Sequence, residues 1–493
     1  MGIGHWEFFR HSELEISDFR FHSLLYFNRQ SRLQRNVFIL QYLPAVAENQ
    51  PANKNRMTTE LSNFSARLRE RIPLFSDVAA EVTRLKFQEP RTRMPDPNQS
   101  EPPHVGCCEN EFNALALELF ALQIKHDAAY RKICEARNLF PGIVEHWTQI
   151  PAVPTAAFKE LDLTCLASAE CTAVFHSSGT TEQRPSRHFH NPESLAVYEA
   201  SLWPWFQHAV IGAPNSDSAC FQPGIVRADS EIGAPSARQF QLVILTPPPA
   251  QAPHSSLVHM LETIRQKLGA AETAFVGKLS DDGAWMLDFD RAIAMLGNNS
   301  QSAIRNPKLI LGTAFSFVHL LDFLADRNLR FDLPAGSRVM ETGGYKGRSR
   351  ALPKTELHQL ITERLGVPPS HIICEYGMSE LSSQAYDLGA QASRRRVFPG
   401  ATKELAGETL ALPGYITRHF HFPPWARVQI ISPETGYEVA DGETGLIRVF
   451  DLANVFSVMA IQTEDLGIRH GDGFELIGRA TLAEPRGCSL MAV

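Results

Sequence analysis

The chain has 493 residues, 44% of them hydrophobic, enough to bury a large core divided into two or three domains or subdomains. A formal net charge of −7 argues against a protein that coats nucleic acid, and no uninterrupted apolar run approaches the roughly 20 residues that span a bilayer. Neither a nucleic-acid partner nor a transmembrane segment is therefore expected.

Met1-Gly2-Ile3-Gly4-His5-Trp6-Glu7 lacks the basic start and apolar centre of a secretory signal, which makes the cytoplasm the expected compartment. Cys107, Cys108, Cys134, Cys165, Cys171, Cys220, Cys374 and Cys488 show no zinc-type pairing and read as free thiols of a reducing compartment.

Residues 1–105 read as an N-terminal extension and linker, partly disordered. Up to Gln50 aromatic and basic residues mix without a sustained period, and Met57-Thr58-Thr59-Glu60 offers a later translation start, so whether the first 56 residues are native stays open. Residues 61–87 carry a helical pattern, and the proline-rich polar stretch 88–103 reads as a linker.

Residues 106–400 are expected to form an α/β core. Phe112, Leu115, Leu119, Leu122 and Ile124 recur near helical spacing, which predicts one long amphipathic helix over 109–137. Pro151 and Pro154 predict a rigid turn over 150–159, because each proline fixes its own φ and keeps its predecessor extended.

The apolar run 172–175 predicts a short buried strand feeding a loop of hydroxyls. In that loop Gly179 can turn backbone N–H groups toward an anion, the hydroxyls of Ser177, Ser178, Thr180 and Thr181 donate further bonds, and Arg184 and Arg187 neutralise charge. It is the composition of a phosphate clamp without the glycine spacing and Gly-Lys-Ser/Thr ending of a Walker A loop. His176 beside it is a candidate for orienting a carboxylate or thiol, or a packed strand-end histidine.

Beyond it, strands are predicted at 240–245, 274–276, 308–311 and 371–374, and helices at 256–268, 315–326 and 354–365. Such alternation places functional loops at strand C-terminal ends. From residue 401 to 493 short strands such as 427–431 and 445–450 predict a β-rich C-terminal part.

Three later segments read as strand-end loops of a nucleotide site. In the first, Gly343 and Gly344 permit close backbone approach to a flat ring and Lys346 adds a point charge. In the second, Tyr376, Gly377, Ser379 and Glu380 combine an aromatic face, a turn, a hydroxyl and a carboxylate for magnesium. The third, Thr463-Glu464-Asp465-Leu466-Gly467 with 472–479 after it, offers a carboxylate to a ribose diol. Each has an ordinary alternative: a tight turn at Gly343-Gly344, a helix-start carboxylate at Glu380, a hairpin at Asp472-Gly473.

In this order the segments resemble the acyl/aryl-adenylate-forming superfamily, and most closely the acyl-protein synthetase family of bacterial bioluminescence fatty-acid reductase complexes. The likeness rests on 150–155 with Phe158-Lys159, on 177–181 with Ser186-Arg187-His188, on Glu375-Tyr376-Gly377-Met378-Ser379-Glu380-Leu381, and on Arg486-Gly487-Cys488-Ser489-Leu490.

The resemblance implies an adenylate-forming large domain. It also implies that Ser177, Ser178, Gly179, Thr180 and Thr181 contact the phosphates of ATP, that Tyr376 stacks on adenine, and that Ser379 and Glu380 serve the phosphate and Mg2+. Asp465 and Arg479 are implied for the ribose. The family's usual mobile C-terminal domain of about a hundred residues carries a catalytic lysine. Here the chain stops at Val493, so no full C-terminal domain is expected, and Lys346 is the candidate replacement cation.

Cys488, flanked by Gly487 and near Arg486, suits a reactive tail thiol. The implied activity is that of an ATP-dependent acyl-protein synthetase: a fatty or other carboxylic acid becomes acyl-AMP, and the acyl group passes to Cys488 and on to a reductase or carrier protein. The alternatives are an adenylating ligase delivering to coenzyme A or a carrier, and a non-catalytic adenylate-binding scaffold. Arg394-Arg395-Arg396 reads as a solvated basic face.

Overall fold

A computed structural model describes residues 59–75, 103–177, 184–212, 240–270, 272–281, 283–297, 306–345, 349–387 and 418–480, with side chains from 109 onward in the second of these segments. Ser178, Gly179, Thr180, Thr181, Lys346, Arg394-Arg395-Arg396 and Cys488 lie outside the described residues.

The first helix, α1 (59–75), turns Leu61, Phe64, Leu68, Ile72 and Phe75 inward at helical spacing, and all five join the main apolar core. Within the segment predicted as one long helix there are two, α2 (Pro103–His126) and α3 (Ala128–Ala136). Asp127 causes the break. It is extended, and its carboxylate accepts from Tyr130 N at 2.9 Å as the N-cap of α3. Burial pushes that carboxyl up to about 7.

The proline segment is more than a turn. It holds a two-residue strand, β1 (Val153–Pro154), and a short helix, α4 (Ala157–Glu160). A hairpin follows, β2 (Ala173–His176) and β3 (Arg187–His190), in which Phe175 is the one fully buried residue of β2, so the predicted buried strand is half-exposed. Helix α5 (Pro192–Phe206) is capped by Asn191 and runs into a π turn, Gln207–Ile211.

The parallel core is then laid down as β4 (Gln241–Ile244), α6 (Ser256–Leu268), β5 (Thr273–Phe275), the small hairpin β6 (Gly277–Leu279) and β7 (Trp285–Leu287), α7 (Phe289–Gly297), β8 (Lys308–Thr313), α8 (Ala314–Asp326), β9 (Arg338–Thr342), α9 (Lys354–Leu365) and β10 (Ile372–Tyr376). Helix α6 starts on Ser255, which accepts from Val258 N, and stops at Gly269 in the left-handed region, the start and stop signals expected of a helix. Strands β11 (Ala385–Asp387), β12 (Phe420–His421), β13 (Ala426–Ile431), β14 (Thr444–Asp451), β15 (Ala460–His470) and β16 (Gly473–Arg479) complete the order.

Among the described residues twelve strands form one sheet in the order β13-β14-β15-β16-β12-β11-β10-β9-β8-β4-β5, with β1 parallel to β15. Strands β10, β9, β8, β4 and β5 are mutually parallel, and the rest of the path is antiparallel. The β-rich C-terminal part therefore continues the α/β sheet.

Every residue of β8, β9 and β10 is buried. Successive side chains go to opposite cores: Leu309, Leu311, Met340 and Ile373 to one, Ile310, Val339 and Ile372 to the other. Helix α6 covers the first face, and α8 and α9 the second. Covered on both faces, the parallel strands can display chemistry only at their ends.

Candidate functional site

The C-terminal ends of β9 and β10 open onto a cleft of about 260 Å³. It is lined by Ser177, Gly343, Gly344, Tyr376, Ser379, Glu380, Asp465 and Arg479, together with Thr155, Gly377, Met378, Thr463, Glu464, Leu476 and Gly478. Thus the described residues predicted for the nucleotide and the magnesium converge here, whereas Arg184, Arg187 and His176 do not line the cleft. A larger open groove of about 490 Å³, near Arg265, Phe275 and Arg291, holds none of them.

Each lining residue has its own local cause. Gly343 follows β9 at φ +71°, a left-handed turn that glycine adopts freely, and a Cβ on Gly343 or Gly344 would meet nothing within 4 Å. Tyr376 ends β10. Its ring is wedged edge-on against Phe420, Phe422 and Phe474 at 6.1, 6.3 and 5.4 Å between centroids, and its hydroxyl donates to Asp465 at 2.9 Å.

The segment 463–467 is no loop: it lies inside the eleven-residue strand β15, where Asp465 is the register partner of Arg479 on β16. Arg479 Nε stands 3.4 Å from Asp465 Oδ1. Gly471 and Asp472 form the hairpin turn between these strands, one residue earlier than the Asp472-Gly473 hairpin of the ordinary reading, and Gly473 opens β16.

The loop after β10 is held from three sides. His188 Nδ1 donates to the Ser379 carbonyl at 2.8 Å, and Asn454 Nδ2 donates to the Glu380 carbonyl at 2.9 Å. The buried Asp451 carboxylate accepts from Ser382 N, Ser383 N and Ser383 Oγ at 2.9, 2.8 and 2.7 Å. Burial keeps His188 neutral by lowering its pKa. Glu380 is 1% exposed and accepts from Ser379 Oγ at 2.9 Å.

Behind the cleft, Glu341 receives Lys354 at 3.2 Å and His358 at 3.3 Å. Burial alone would push the Glu341 carboxyl up, but the charges and hydrogen bonds of Lys354, His358 and Cys374 outweigh it and hold it at about 2. Glu375 next to Cys374 goes the other way: burial pushes it up to about 7 against the Thr342 hydroxyl that donates to it.

Two predicted cations go elsewhere. Arg187 pairs with Asp162 at 2.7 Å and Arg184 faces Glu160 at 3.9 Å, and neither lines the cleft. His176 stacks on His254 with ring centroids 4.9 Å apart, which is the packed strand-end alternative.

Thr155 was not singled out as a ligand from the sequence. The pairing of β1 with β15 brings it in, through Thr155 N donating to Gln462 O at 3.1 Å. The supports Asn454 and Asp451 were not singled out either, and His188 was named only within a motif, because their partners in 379–383 lie far away in sequence.

The cleft fits a nucleotide. Thr155 Oγ1 and Arg479 Nη1 are buried with no hydrogen-bond partner among the described residues, and the glycine pair leaves a flat open wall. Among the described residues no group of three or more His, Cys, Asp or Glu could cage a metal by itself. Glu380, which lines the cleft with Glu464 and Asp465, suits magnesium, which is commonly held by one or two carboxylates plus substrate phosphates. No helix of the described residues is long and apolar enough to cross a membrane.

The family described as Acyl-protein synthetase, LuxE, matches residues 222–415. A long-chain-fatty-acid–luciferin-component ligase of Aliivibrio fischeri is 23% identical over 219 residues, 41% of this chain and 49% of that protein. The chain therefore spans about half the length of this curated relative.

Among solved structures, 2-hydroxyisobutyryl-CoA ligase in the postadenylation state with 2-HIB-AMP superposes with a TM-score of 0.51 at 12% identity, covering 81% of this chain and 75% of the other. The same ligase with 2-HIB-AMP and CoA in the thioesterification state gives 0.50 at 12%, covering 80% and 73%. Identities this low speak for the fold alone. The fold is that of adenylate-forming ligases, and over residues 222–415 the chain carries the match to the acyl-protein synthetase family that its motifs resemble.

Proposed function

We propose that this protein is an ATP-dependent acyl-protein synthetase that activates a carboxylic acid, a long-chain fatty acid by the name of its curated relative, as acyl-AMP. The observation that carries the reading is the convergence of Ser177, Gly343-Gly344, Tyr376, Ser379-Glu380 and Asp465-Arg479 on one cleft from separate segments of the chain.

In this reading the adenine lies along Gly343-Gly344 and the exposed part of Tyr376, and the ribose meets Asp465 and Arg479. Ser177 begins the hydroxyl loop that reaches the phosphates, with Ser178, Gly179, Thr180 and Thr181 following it. Glu380 would hold a magnesium ion, which supplies charge neutralisation on the phosphates when bound. A substrate carboxylate oxygen attacks the α-phosphorus, the bond to the bridging oxygen breaks, and pyrophosphate leaves.

Electrostatics carries this step, because charge builds on the phosphate oxygens in a site whose donors are already fixed. Arg479 supplies a cation from the described residues, and Lys346 is proposed as the second. The Cys488 thiolate then attacks the acyl carbon and expels AMP, and the thioester passes the acyl group to a partner such as a reductase.

Carboxylate-dependent exchange of pyrophosphate into ATP tests the first half, over a panel of fatty and aromatic acids. Exchange with at least one fatty acid is expected. Absence of exchange with every acid would leave the scaffold alternative standing. For the second half, labelled fatty acid is expected on the wild-type protein and not on Cys488→Ala. Label persisting on the variant would move the thioester elsewhere, and exchange without any protein label would favour delivery to coenzyme A or a carrier.

A further inference from the structure

Resting on the nucleotide reading, we infer that Glu375 is a positioning residue for the nucleotide, its carboxyl tying together the two loops that form adjacent walls of the cleft. One wall follows β9 and presents Gly343 and Gly344, and the other follows β10 and presents Tyr376 and Gly377. Glycines have no side chains to lock such loops to each other, so their spacing is set from beneath. Glu375 is what lies beneath.

Glu375 Oε2 accepts from Thr342 Oγ1, the last residue of β9 before the glycine pair. On its other side, Oε1 fills the space under Gly377, where any added Cβ would collide with it. Neighbouring Cα partners set this up: Glu375 lies beside Thr342 in the parallel register of β10 with β9. The carboxyl is 5% exposed at the residue level and does not itself line the cleft, so it acts through the two loops.

The groups that face it come from four elements. Strand β9 brings Glu341, a like charge, and helix α9 brings Lys354, an opposite one. Across the antiparallel register, β11 brings Tyr386, whose buried hydroxyl has no hydrogen-bond partner among the described residues, and α5 brings Tyr198 near that hydroxyl. Cys374 precedes it on its own strand, with its thiol pushed well up by burial.

In this setting burial and Glu341 favour the protonated carboxyl, which raises it to about 7 over the lowering from Thr342 and Lys354. Ionisation, which Thr342 and Lys354 only partly offset, places a negative charge beneath a cleft that takes a polyanion. Nucleotide binding and loss of this proton oppose each other, and by linkage the nucleotide is held more weakly as pH rises through about 7.

The test is the dissociation constant of Mg-ATP for the full-length protein between about pH 6 and about pH 8.5, in wild type, Glu375→Gln and Glu375→Ala. The titration of ATP itself is common to all three and cancels in the comparison. Wild type is expected to weaken by about tenfold across the range, beyond the slope of Glu375→Gln, which is permanently neutral and keeps the acceptor for Thr342.

Glu375→Ala is expected to bind about tenfold more weakly than Glu375→Gln at every pH, because the tie is gone. Equal slopes in wild type and Glu375→Gln would overturn the inference, as would equal affinities of Glu375→Gln and Glu375→Ala. Wild-type protein that binds no Mg-ATP at any pH would overturn the nucleotide reading, and this inference with it.

Discussion

The parallel and antiparallel halves of the sheet build the cleft in opposite ways. From β9 and β10 it receives what stands at the strand ends, the exposed glycines Gly343 and Gly344 after one and Tyr376, Ser379 and Glu380 at and after the other. From β15 and β16 it receives side chains held inside strands, Asp465 and Arg479 facing each other across a ladder. A parallel strand covered on both faces has only its end to offer, whereas a strand whose residues are partly exposed can use its length.

The largest expected effect is at the join between the halves. Asp451 ends β14 and holds Ser382 and Ser383 of the loop after β10, all of them buried. Asp451→Ala leaves those donors unsatisfied and is expected to cost roughly 3–5 kcal/mol, read as a lowered urea midpoint at unchanged slope. A loss below about 1 kcal/mol would mean that the halves stand independently.

Next in size is the acid stability of the parallel half. Glu341 is held at about 2 against a usual 4.5, so its contribution is present above pH 4.5 and is lost as pH falls toward 2. The size is at most about 3 kcal/mol, less what water screens at the Lys354 side chain, which is 41% exposed. Glu341→Gln should flatten the acid limb of stability against pH. Asp465→Asn, in the antiparallel half, should leave that limb in place.

The smallest stability effect comes with a binding effect. Gly344 is exposed and a Cβ there meets nothing, so Gly344→Val should change stability by no more than about 0.5 kcal/mol. It should nonetheless weaken Mg-ATP by about tenfold or more, because the valine fills the wall meant for a flat ring. Unchanged affinity in an equilibrium titration would show that the nucleotide does not approach the β9 end.

The two halves also differed in how far their sequence could be read. The all-buried runs of β8 and β10 are mostly apolar, and α6, α8 and α9 carry periodic patterns with Ser255, Thr313, Gly269 and Gly366 at their ends. Those elements and the adenylate-forming class were legible. Strand β15 was not, because Glu464, Asp465 and Gly467 have loop composition, and only pairing with β14 and β16 makes them a strand.

The helix break at Asp127 was hidden for a related reason. An aspartate on the polar side of an amphipathic pattern and an N-cap look alike until Tyr130 N is seen to bond it. Arg184 and Arg187 were read with the hydroxyl loop because they are adjacent in the chain, whereas their partners Glu160 and Asp162 come from an earlier segment. Composition locates a charge; it does not say which neighbour consumes it.

The ladder between β15 and β16 limits how the molecule could diverge. Because Asp465 meets Arg479 only in one register, a single-residue insertion at the Gly471-Asp472 turn would send the arginine to the opposite side of the sheet. Descendants of this chain can lengthen that turn in steps of two and keep the arginine on the side of Asp465.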